Sequence, residues 1–70
     1  MNLRSKLFED ATFAHAQESW RFAAGLVRDR WAQFLAAEGS DRRTTFAAYV
    51  AALDFEAASA DELCAVARSA

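Results

Sequence analysis

Proline is absent from the chain, and glycine occurs only at positions 25 and 39. A β-rich fold of this length needs tight turns, and tight turns need those residues. The chain therefore reads as helical. Cys64 is the single cysteine, so no internal disulfide can form. His15 is the single histidine, too few for a metal site, which takes several His, Cys or carboxylates at fixed spacing. No apolar run approaches the ~20 residues that span a bilayer. No long apolar stretch follows Met1–Lys6, so no secretory signal is expected and the cytoplasm is the expected compartment. Isoleucine is missing, and one lysine stands against seven arginines. With 18 alanines, this looks like the bias of a GC-rich bacterial or phage coding sequence.

What remains is 70 residues, 54% hydrophobic and 26% charged, with a net charge of −2. That is a globular composition and room for one domain, residues 1–70. The mild acidity argues against a protein that coats nucleic acid, and it is too balanced for an acidic DNA mimic. Six Phe, six Leu, three Val, two Trp and one Tyr supply the large apolar side chains. Their burial roughly matches the cost of ordering a chain this short. Homodimerisation or a protein partner is the natural remedy.

The strongest helical signal covers residues 13–38. Phe13, Ala16, Trp20, Ala23, Ala24, Val27, Trp31, Phe34 and Leu35 fall within ~60° of one direction. Asp10 or Thr12 can cap its start, and Gly39 stops it. The spacing predicts two shorter helices, about 42–53 and 60–69, packed across the Trp20–Trp31 stripe. Residues 54–58 would connect them, with Phe55 turned inward. Ser40 or Asp41 caps the first of the two. Ser59 and Glu62 match the S-x-x-E capping box at the start of the second. Residues 3–9 form a short N-terminal helix or an arm, or run unbroken into the long helix. The expected fold is an all-α bundle.

Two residues break the main stripe. Phe22 and Leu26 lie one turn apart on nearly the opposite face, in one row with His15 and Gln33. Either another segment of the chain covers them, with Leu3, Leu7 and Phe8 the first candidates, or another chain does. Arg21, Arg28 and Arg30 lie beside the main stripe, where their stems can cover apolar surface while the guanidinium stays wet. Arg42 and Arg43 open the second helix, where positive charge opposes the helix dipole; they could meet phosphate or acidic groups of a partner.

Nothing in the sequence carries chemistry. Asp61 and Glu62 precede Cys64 where an activated thiolate would want a cation, which suits a packed thiol and not a nucleophile. Asp54, Glu56, Asp61 and Glu62 have no adjoining histidine, and acids at a helix start are explained by the dipole. Trp20 and Trp31 suit a bundle core, self-association included. No catalytic, metal-binding or cofactor-binding residue is therefore expected. The expected function is a small helical protein–protein interaction module: a regulator, adaptor or inhibitor, bacterial or phage- or mobile-element-encoded. Its binding residues would be Phe22, Leu26, His15, Gln33, Arg21, Arg28, Arg30, Arg42 and Arg43. The alternative is a helix-turn-helix DNA-binding regulator. Against it, the reading helix would begin with Asp61 and Glu62, two carboxylates facing phosphates. A membrane-surface helix would want a lysine-rich polar band that the chain lacks.

Overall fold

The computed structural model describes residues 3–69, with side chains from residue 10 onward. The chain is two α-helices, α1 (Leu3–Ala36) and α2 (Asp41–Ser69), folded into an antiparallel hairpin. The all-α class is as expected, and no strand occurs among the described residues. The helix count is different. Residues 42–53, 54–58 and 60–69 are one element, because Asp54-Phe55-Glu56-Ala57-Ala58 contains no helix breaker. The Ser59/Glu62 pair is a capping-box match without a helix start. Of the alternatives for residues 3–9, the backbone takes the unbroken one: they are continuous with α1. They therefore do not fold back over Phe22 and Leu26; the side chains of Leu3, Leu7 and Phe8 lie outside the described residues.

The reversal falls where glycine permits it. Gly39 has φ 60°, the left-handed region that costs other residues ~1–2 kcal/mol. The N–H groups of Asp41 and Arg42 donate to the carbonyls of Glu38 and Gly39, each at 3.2 Å, and start α2. Asp41 sits in the first turn of α2 and Arg68 in its last, both matched to the helix dipole. The Thr45 hydroxyl donates back to the Asp41 carbonyl at 2.8 Å.

Small side chains line the contact between the helices. Ala16 and Ala23 on α1, and Ala52 and Ser59 on α2, are the buried residues of the hairpin. Each pair is seven residues apart, the heptad spacing that keeps one seam facing a partner helix. Small residues let two helices approach toward the short end of the ~8–10 Å range. That explains Ser59: it is a seam residue in mid-helix, not a cap.

The resulting shape is long and thin. The Cα extents are 59 × 14 × 11 Å and the radius of gyration is 16.5 Å. A compact domain of this length has a radius near ~11 Å. The hairpin has a seam, and among the described residues no large side chain is fully buried.

Candidate interaction faces

Four aromatic rings set the register between the helices. Trp31 lies 5.0 Å from Tyr49 and 5.5 Å from Phe34, centroid to centroid. Phe34 lies 5.5 Å from Phe46, and Phe46 lies 6.3 Å from Tyr49. These tilted arrangements suit the ring quadrupoles. They brace the loop end of the hairpin and place Trp31 level with Tyr49 and Phe34 level with Phe46.

The large apolar side chains lie beside the seam on two open faces. The broad face carries Trp20, Trp31 and Leu35 from α1 and Phe46, Val50 and Leu53 from α2, all exposed. Trp31 is 42% exposed and Leu35 61%. The Trp20–Trp31 stripe was expected to be the core, with two shorter helices packed across it. The seam instead runs through Ala16 and Ala23, at one edge of that stripe, because alanines admit a helix and tryptophans do not. The opposite face is smaller. Phe22 is 66% exposed and Phe55 45%. Extending the ring register puts Phe55 within one residue of the level of Leu26, which is half-buried.

Phe55 was expected to point inward. Once residues 41–69 are read as one helix, it falls outside the Ala52–Ser59 row and belongs beside Phe22. That signal is present in the sequence but is hidden by the break placed at 54–58. Cys64, expected to be packed, is exposed on α2.

The polar candidates divide into engaged and free. Arg42 has work inside the chain. Its guanidinium donates to the Ala37 carbonyl at 3.3 Å and lies 4.6 Å over the Phe34 ring. A positive charge at the start of α2 is thus explained by the end of α1, whose free carbonyls carry the negative pole of the helix dipole. Arg30 is half-buried and donates to the Gln33 side-chain carbonyl at 3.1 Å. His15, Arg21, Arg28 and Arg43 are exposed.

No group of three or more His, Cys, Asp or Glu gathers among the described residues. No described helix is long and apolar enough to cross a membrane. The chain matches no protein-family model, and searches of curated proteins and of solved structures find no relative.

Proposed function

We propose that the protein is a non-catalytic helical interaction module of the bacterial cytoplasm, encoded by a bacterium, phage or mobile element, that acts as a regulator, adaptor or inhibitor of a larger protein. One observation carries this reading: alanines occupy the buried seam while large apolar side chains stand on two open faces, Phe22 at 66% exposure among them. Exposed aromatic clusters rimmed by arginine are the usual anchors of protein interfaces. Phe22, Leu26 and Phe55 supply the apolar part of the smaller face. His15, Gln33 and Arg30 border it, and Arg21, Arg28 and Arg43 are free for rim contacts. The helix-turn-helix alternative needs a turn at residues 54–58, and the chain is helical there.

The test is Phe22→Ser with Leu26→Ser. Helix content by circular dichroism should be unchanged, and proteins retained by the immobilised wild-type chain should be lost from the variant. Loss of the helical signal would make the pair core and end this reading. Identical retention by both chains would do the same.

A further inference from the structure

The accessible surface of the chain is 5441 Å². A compact monomer of 7.7 kDa exposes about 4,300 Å². The surplus, on the order of 1,100 Å², is comparable to the ~800 Å² that each partner contributes to a standard protein interface. It belongs to a rod two helices thick, with six of the eight exposed large apolar side chains among the described residues on the broad face. Two such rods packed face to face make a four-helix bundle, which encloses side chains of this size between helices.

Charge selects among the ways of pairing. Arg21 and Arg28 run along the outer edge of α1, and Asp54 and Asp61 along the outer edge of α2; all four are exposed. The ring register sets Arg28 within two residues, about 3 Å, of the level of Asp54, and Arg21 within the same distance of the level of Asp61. Asp10 and Arg68, nearly level at the open end, repeat the match with the signs exchanged. Within one hairpin the two rows lie on opposite edges, and none of the four central charges is paired among the described residues. If two hairpins pack with their loops at the same end, α1 meets the partner's α2 at equal height and every one of these pairs is of opposite sign. If the loops lie at opposite ends, in full overlap, α1 meets the partner's α1. In that arrangement Arg21 lies near the partner's Arg21 and Asp61 near its Asp61, while Arg28 comes level with Asp10 and Asp54 with Arg68, so like charges meet at the middle of the contact, which the same-end arrangement avoids. The same-end arrangement also sets Trp20 over Ala57, Ala60 and Cys64 of the facing helix, a large side chain over small ones, as dense packing requires.

We infer that the broad face closes on a second copy of this chain, loops at the same end, to form a parallel two-fold four-helix bundle. This rests on the interaction-module reading and deepens it. The dimer covers Trp20, Trp31, Leu35, Phe46 and Leu53 and leaves Phe22 and Phe55 outward on both flanks for a different protein. An isologous contact of this kind is the commonest form of assembly.

Three measurements test it. Sedimentation equilibrium should give twice the 7.7 kDa chain mass; a helical monomer at ~100 µM, weaker than ordinary interfaces of this size, overturns the dimer but leaves the module reading standing. Spin labels at Ser40→Cys, in a Cys64→Ser background, should lie roughly 20–25 Å apart across one end of the bundle; about 50 Å, the length of a 34-residue helix, would overturn the same-end arrangement. Arg21→Asp with Arg28→Asp should weaken the dimer about tenfold, and adding Asp54→Arg with Asp61→Arg should restore it, since exposed pairs are individually worth little but four change sign together. These edge substitutions lie away from the seam, so folding is preserved, and a failure of the second pair to rescue the first would overturn the proposed pairing.

Discussion

The seam and the broad face of this hairpin run side by side along the same two helices, yet opposite kinds of residue fill them. The seam takes Ala16, Ala23, Ala52 and Ser59, which have little apolar area to bury. The face takes Trp20, Trp31, Leu35, Phe46 and Leu53, which have a great deal and leave much of it in water. The difference shows that close approach and area burial are separate demands. Alanine meets the first: it lets backbones come near, so dispersion contacts form along the whole seam. The second is met only in part: among the described residues the large side chains of the broad face stay partly in water.

The sharpest way to break this comparison is to enlarge a seam residue. Ala23 is 0% exposed, and a leucine there has nowhere to go. Overpacking costs about 1–3 kcal/mol, so Ala23→Leu with Ala52→Leu should lower the urea midpoint severely or abolish the cooperative transition. Ala32→Leu makes the same chemical change on an exposed position of α1 and should shift stability by no more than ~0.5 kcal/mol. Equal effects from the two would mean that the helices do not meet where they are placed here.

A second contrast sharpens the account of the open faces. Trp31→Ala removes two ring partners, Phe34 and Tyr49, at the loop end. A half-exposed aromatic with such contacts should cost about 2 kcal/mol in chemical denaturation at fixed protein concentration. Phe22→Ala removes a ring that is 66% exposed and should cost under ~0.5 kcal/mol. If the two losses were equal, the small face would be as structural as the broad one.

Much of this was legible from residue types alone. The missing proline, the rare glycine and the periodicity of residues 13–35 give an all-helical chain with a long first helix. The Gly39 turn is readable because a lone glycine after a long periodic run is a strong stop. The off-stripe position of Phe22 is readable because helix geometry is regular. Two features were hidden, for one reason. The stripe around Trp20 and Trp31 measures where hydrophobic area lies, and area marks the core only when the helices present can enclose it. Here the contact is chosen by size, so the true seam sits at one edge of the stripe. The expected break at 54–58 has a related source: Ser59 and Glu62 match a capping box, and without the seam the small volume of Ser59 has no other purpose. The role of Arg42 also depends on the tertiary turn. Its partners, the Ala37 carbonyl and the Phe34 ring, belong to the other helix or its end.

The two glycines give the smallest effects and divide the seam from its surroundings most finely. At Gly39 a Cβ meets nothing within 4 Å, so space is no obstacle, but φ is +60°. Gly39→Ala should therefore destabilise by about 1 kcal/mol through the backbone alone. Gly25 is in mid-helix, and a Cβ there would meet only the tip of the Arg28 side chain, at 3.8 Å. It is as small as the seam residues and stands two positions from Ala23, but it points away from α2. A glycine that serves no close approach carries only the entropic cost of its own freedom. Gly25→Ala should raise stability by about 0.8–1.0 kcal/mol, the ordinary helix-propensity difference, seen as a higher urea midpoint with an unchanged slope. A loss of stability instead would mean that another helix approaches α1 on that side, and the seam through Ala16 and Ala23 would not be the only place where smallness is required.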